Sequence, residues 1–473
     1  MTALVLYPRI LGAQTVDVRS LVGEDWYGVY LNGHKSGYQV NTVAVANDGT
    51  ASFTEDAHLK VTMAGAPQDM RIFSKHTYAP DGALRSIEAQ VDDPRASTKF
   101  ACKVEGESMT MNTIIGNEVK QTRLPKPKET LQDALKHVRL LNGAAKVGDK
   151  ITYSFFEPLS QRELTAESEI AGVEDRVFEG VTTKVYRIHT RTPELGIDSE
   201  SYVSENGKTL EDIIVDKFKM RLEPKEIAVD VSYSNDVIVS NAAVVKDAVE
   251  NPRTRDSLSL LLKGPLAQEH LFNDERQTIL AKDGGFEFVG RKVSLKGLKP
   301  LEVPVMNPEV QKWREPSTFV QSDNPELIRK AKEIVGDEKD ALKISEKLCR
   351  WVYANVHTIY SARLTNALEV LKNLEGDCTE HSVLFVGLAR AAGLPAREVA
   401  GLIYVDASGG APKGFYFHQW ATVWVGKWVD VDPTFNQPQA DVTHIKLAEG
   451  DLFTQARLLP LIGQIQVEVE DPK

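Results

Sequence analysis

A cysteine, Cys378, stands in the run Gly376-Asp377-Cys378-Thr379-Glu380-His381 just before a long apolar stretch, and His418 follows about forty residues later in Phe417-His418-Gln419-Trp420. A thiol and an imidazole are the pair that nucleophilic attack on a carbonyl needs, the sulfur forming the bond and the ring moving the proton. The chemistry they allow is acyl transfer or amide cleavage. Asp377 and Glu380 flank the thiol with a capping-box spacing, which makes Asp377 the N-cap and puts Cys378 at the first helical position. Free N–H groups and the positive end of the helix dipole favour a thiolate there and can also donate to an oxyanion. The carboxylates of Asp377 and Glu380 oppose this, so a nearby imidazolium is required to activate the sulfur.

The third member follows from strand register. Phe417 to Val425 alternates as a strand, turns at Gly426-Lys427, and returns as Trp428-Val429-Asp430-Val431-Asp432-Pro433-Thr434. A plain two-residue loop pairs Val425 with Trp428 and mixes valines with aspartates on each face. Pairing Trp424 with Trp428 instead gathers Ala421, Val423, Val425, Val429 and Val431 on one face, with His418, Trp420, Thr422, Trp424, Trp428, Asp430 and Asp432 on the other. This second register segregates apolar from polar side chains. It sets Asp432 opposite Trp420, one diagonal step from His418, as the residue that orients the imidazole. Trp420, beside His418, is expected to line a groove for the acyl donor. Asp377 and His381 are assigned to the surroundings of the thiol, because no third group supports His381 as a base. His357 and His444 read as surface or loop residues, Asp430 as a solvated or structural carboxylate, and Arg390 and Arg397 as ties between helix and sheet. Cys102 and Cys349 read as small buried hydrophobes.

These residues need elements to hold them. From Trp26 to about Val239, short alternating runs are separated by Asn32-Gly33, Asp48-Gly49, Asp81-Gly82 and Asn206-Gly207, the signature of hairpins. Thr77 to Leu84 resembles Ser201 to Leu210, suggesting two related β-modules at 25–123 and 148–245, with a helical connector at 124–147. Residues 246–320 are rich in charge, Pro and Gly and read as a linker carrying a small β-element; Asp283-Gly284-Gly285 is a turn. The period then changes. Asn324-Pro325-Glu326 opens a helix that stops at Gly336, a second helix runs from about Asp340, and a third begins at Asn366. Val383 to Ala392 is apolar nearly all round, so the helix behind Cys378 is buried and holds the nucleophile in place. The domain that carries the site is expected over 321–473.

Composition excludes several classes. An apolar fraction of 42% is that of a folded globular chain, and 56 Lys plus Arg against 67 Asp plus Glu disfavours nucleic acid or an anionic membrane as partner. Three cysteines form no disulfide framework, and no Cys/His cluster has zinc spacing, so neither metal nor cofactor is expected. Ala3 to Ala13 is apolar but interrupted by Pro8 and Arg9, too short to span a bilayer. Within a 1–24 tail it reads either as the end of a signal peptide, placing the protein in the periplasm or outside the cytoplasm, or as an ordinary terminus. The sequence leaves the oligomeric state open.

Gly376-Asp377-Cys378, the run Leu388 to Arg397, His418-Gln419-Trp420 and Trp428-Val429-Asp430-Val431-Asp432-Pro433-Thr434 together resemble the transglutaminase-like superfamily in its bacterial branch. The likeness covers roughly 320–450. It implies an α+β papain-like core, with the nucleophile at a helix tip packed on an antiparallel sheet, and a triad falling on Cys378, His418 and Asp432. The expected activity is that of a thiol acyltransferase or amidohydrolase acting on a protein or peptide. A cysteine protease with the same triad and a catalytically silent binding or scaffold protein are the alternatives. No calcium dependence is carried over, and Asn355, Tyr360 and Thr379 are the nearby residues considered for the oxyanion.

Overall fold

The alternating region folds into fourteen antiparallel strands, from Gly23–Leu31 to Phe218–Leu222. The computed structural model describes residues 18–141, 145–178, 180–215, 217–234, 236–360, 364–407 and 411–470. The Ala3 to Ala13 stretch lies outside the described residues. Eight strands form one meander and six a second, each strand pairing with its chain neighbour. The hairpin chemistry is local: Asn32 and Gly33 both take positive φ, 50° and 78°, as a two-residue turn matched to the twist of its strands requires.

The two stretches expected as separate modules are halves of one sheet. Gly23–Leu31 pairs with Phe218–Leu222, Tyr27 opposite Leu222 and Leu31 opposite Phe218, which joins the meanders edge to edge. Closing that edge satisfies a row of backbone donors and acceptors that neither meander could satisfy alone. The sheet also curls. Phe156, from the far edge strand, packs with Tyr78 and Phe100 of the first meander. Glu129 clamps the same place, accepting from the Tyr78 hydroxyl at 2.6 Å and the Phe156 N–H at 2.8 Å.

The C-terminal domain begins with three helices, α1 (Pro325–Val335), α2 (Ala341–Asn355) and α3 (Ala367–Asn373). Asn324 caps α1, accepting from the Glu326 N–H, and Gly336 ends it at a φ of 63°. They enclose α4 (Cys378–Ala391), whose residues from Glu380 to Ala389 are all buried. Leu384, Phe385 and Leu388 share one core with Leu327, Leu348 and Leu368 of the helices and Ala421, Val423 and Val431 of the sheet. The sheet beneath comprises β1 (Ala396–Val405), β2 (Gly414–Trp424), β3 (Trp428–Val431) and β4 (Ile445–Glu449), with β2 and β4 flanking β1. Ala243–Val244, the end of the N-terminal region, adds an edge strand against Phe415 and Gly414. The segment 246–320 supplies three strands of a second small sheet, completed by Gln466–Val469. Its Leu258, Leu260 and Phe288 share a core with Leu402, Phe415 and Leu447. Among the described residues, no helix is long and apolar enough to cross a membrane.

Candidate active site

Cys378 is the first residue of α4. The Asp377 carboxylate accepts from the Thr379 N–H at 2.8 Å and Glu380 reaches back to the Asp377 N–H at 2.8 Å, the capping box the spacing predicts. Gly376 is required next to it, because a Cβ there would come within 2.1 Å of the Glu380 Cβ. Ser382 ties the helix tip to the sheet, its Oγ lying 2.7 Å from the Cys378 carbonyl and 3.0 Å from that of Gln419. Cys378 keeps part of its surface open. Enough protein surrounds the sulfur that desolvation pushes the thiol well above its ordinary value. Asp377 and Glu380 add to the rise, and a hydrogen bond from the Gln419 backbone opposes it.

β2 and β3 pair in the register expected from the segregation of faces, Trp424 opposite Trp428 and Ala421 opposite Val431. His418 donates from Nε2 to Asp432 Oδ2 at 2.9 Å. That bond leaves Nδ1 as the imidazole nitrogen available to exchange a proton. Cys378, His418 and Gln419 line one cavity. Asp432 is fully buried, and burial alone would raise its carboxyl. His418 and His444 more than offset that cost and hold it well below the usual carboxylate range. Its Oδ1 accepts from the Thr434 and Phe435 N–H groups at 2.8 and 3.2 Å.

His444 is not a surface residue. It is completely buried, donating from Nε2 to Asp432 Oδ2 at 2.9 Å while Nδ1 faces Asp441 Oδ1 at 3.3 Å. Burial alone would lower its pKa, but the two carboxylates raise it. Two carboxylate partners call for protons on both nitrogens. Among the described residues, His418, Asp432 and His444 form the one group whose donor atoms lie close enough for a metal, within 4.8 Å of one another.

Trp420 does not line a groove. Its side chain is fully buried, packs with Val399 and Ile403, and donates from Nε1 to Asp430 Oδ2 at 3.1 Å. The polar face of the hairpin is covered, and buried cations compensate its acids. Arg276 Nε lies 3.0 Å from Asp430 Oδ2, and Lys446 Nζ lies 3.1 Å from Asp430 Oδ1. Asp430 is thereby a structural carboxylate, held low by Lys446 and Arg276 against the cost of burial. Arg276, Lys446 and Asp441 were not singled out from the sequence and His444 was read as a surface or loop residue, because nothing in their local spacing shows that these segments pack over the hairpin.

His381 is buried and neutral-leaning. Desolvation lowers its pKa, and its Nδ1 is taken by the Asp377 carbonyl at 2.7 Å. His357 is exposed. Arg390 bonds the Ala396 carbonyl at 2.8 Å and Arg397 pairs with Glu449 at 2.6 Å, so both join elements. Asn355 donates to the Trp351 carbonyl, leaving Tyr360 and Thr379 near the thiol. Tyr360 lies within electrostatic reach of Cys378 and Asp377, which add to the rise that burial imposes on its phenol. Cys102 and Cys349 are buried.

Residues 328–433 match the family model of the transglutaminase-like superfamily, and the chain carries a transglutaminase-like domain there. No curated protein matches the chain. Among solved structures, it is similar to a candidate cysteine protease from Cytophaga hutchinsonii at 19% identity and a TM-score of 0.29, over 45% of this chain and 84% of that one. It is also similar to the periplasmic domain of TgpA from Pseudomonas aeruginosa at 16% identity and a TM-score of 0.29, over 46% and 77% of the two chains. A β-barrel-like protein from Brucella abortus matches at 11% identity and a TM-score of 0.34, over 42% and 94%. All three likenesses are distant.

Proposed function

We propose that this protein is a thiol acyltransferase or amidohydrolase of protein or peptide carboxamides, with Cys378 as nucleophile, His418 as acid and base, and Asp432 orienting the imidazole. The observation that carries the reading is the opening of Cys378 and His418 into one cavity while His418 is held by Asp432 at 2.9 Å. His418 Nδ1 takes the thiol proton as sulfur bonds to the carbonyl carbon, and returns it to the departing amine as the C–N bond breaks. An amine or water, deprotonated by the same nitrogen, then releases the acyl group. The Cys378 backbone N–H at the tip of α4 supplies one oxyanion donor.

The test is the rate of alkylation of each cysteine by iodoacetamide, followed by peptide mapping of the intact protein. Cys378 is expected to react fastest, and His418→Ala to slow it about a hundredfold, the lower end of the range for a proton-transfer catalyst. Because Cys102 and Cys349 are buried, the decisive arm is His418→Ala. An unchanged rate in that variant overturns the reading. Release of a trapped acyl-enzyme by water alone or by an added amine separates hydrolase from transferase.

A further inference from the structure

We infer that the cavity beside Cys378 receives a large apolar side chain on the acyl portion of the substrate, and that the N-terminal sheet builds one wall of this subsite. The inference rests on Cys378 being the nucleophile and adds the class of acyl donor. The cavity has a volume of about 530 Å³. Phe417, Leu458, Leu459 and Ile462 line it from the C-terminal domain, and Leu159 and Leu195 from turns of the fourteen-stranded sheet. A pocket of this size and character takes a bulky hydrocarbon or aromatic group.

Two of its polar members away from the sulfur already have partners. Both oxygens of Glu157, the charged residue on its wall, accept backbone N–H groups, from Leu159 at 2.9 Å and Ser160 at 2.5 Å. Gln455 donates to the Gly450 carbonyl at 3.3 Å. A polar side chain entering here would give up water for a wall that is mostly hydrocarbon, whereas an apolar one loses nothing. The wall from the sheet is anchored at the cavity rim. Arg457 donates from Nε to the Glu194 carbonyl at 3.1 Å, joining the turn that carries Leu195 to the segment that carries Leu458. Arg162 meets Asp451 at 3.3 Å in the same region. The sheet therefore takes part in selecting the acyl group.

The test uses the full chain and N-acetyl aminoacyl chloromethyl ketones of Phe, Leu, Ala, Gln and Lys, with Cys378 adducts quantified by mass spectrometry. The Phe and Leu reagents are expected to modify Cys378 at least about tenfold faster than those of Ala, Gln and Lys, the scale of discrimination available to an apolar pocket. Leu195→Lys and Leu459→Lys should each bring the Phe-to-Ala ratio toward one. Leu459 is 46% exposed, so its variant keeps the test open if Leu195→Lys does not fold. A flat series, or a preference for Gln, overturns the subsite. If iodoacetamide labelling in the same protein depends on His418, a flat series sinks the subsite alone; if it does not, the nucleophile reading has failed first.

Discussion

The fourteen-stranded sheet and the C-terminal region differ in how most of their charges pair, although the sheet too buries Glu211 among Arg176, Lys219 and Arg221. On the sheet, ion pairs such as Arg191–Asp198 and Arg187–Glu200 join neighbouring strands with both side chains at least a third exposed. Around the C-terminal site, Arg276, Asp430, Lys446, Asp432 and His444 are buried, and Arg276 and Asp274 bring partners to it from far along the chain. Arg276 meets Asp430 across 154 residues and Lys446 meets Asp274 across 172. Exposed pairs contribute little and tolerate loss, whereas removing one member of a buried pair strands a charge without water. The difference teaches where this molecule is brittle, and that the brittle part surrounds the proposed triad.

The largest expected effect lies at the proposed triad. Asp432→Asn keeps the volume but removes the acceptor that selects the His418 tautomer, and should lower single-turnover acylation by about 10⁴-fold. A loss of less than tenfold would separate Asp432 from the chemistry. Next, Arg276→Ala should cost about 3–5 kcal/mol in denaturant unfolding, against no more than about 1 kcal/mol for Arg187→Ala on the sheet. Equal costs would erase the contrast between the two regions.

His444→Gln probes the charge chain by pH. Asp432 and Asp441 are held low in the folded protein in part by His444, so their stabilisation is present above their unfolded pKa and lost as pH falls. Without the imidazolium, acid unfolding followed by circular dichroism should begin at a higher pH. His444 itself is raised above 6.5, so its contribution is complete below that value and fades as pH rises through the folded one. The variant should lack that alkaline loss. The smallest effect concerns Glu398, which desolvation pushes up from 4.5 to about 7 despite Arg390. A raised carboxyl is most favourable when protonated, so wild-type stability should fall as pH climbs from about 4.5 to 7. Glu398→Gln should flatten that slope in thermal melts; an identical slope would remove Glu398 as its source.

Much of the local architecture was legible. The cap at Asp377 uses residues within three positions of one another, and the Trp424–Trp428 register follows from the alternation of valines and aspartates. Both depend on short-range geometry. Trp420 shows where that reasoning ends. The pattern placed it correctly on the face with Asp430 and Asp432, yet alternation cannot tell whether a polar face meets water or a second layer carrying Arg276 and Lys446. His444 was missed for a related reason, since its neighbours in sequence give no hint that it is buried between two carboxylates.

The sequence by itself determined the thiol at a helix tip, the strand that bears His418 and the register that brings Asp432 toward it, because each is encoded by residues close in the chain. Only the tertiary structure decided that the two meanders share one sheet, that His444 and Asp441 extend the His418–Asp432 contact, and that Leu159 and Leu195 stand beside Cys378. Those outcomes depend on which distant surfaces lose water together, and burial of that kind is a property of the packed molecule.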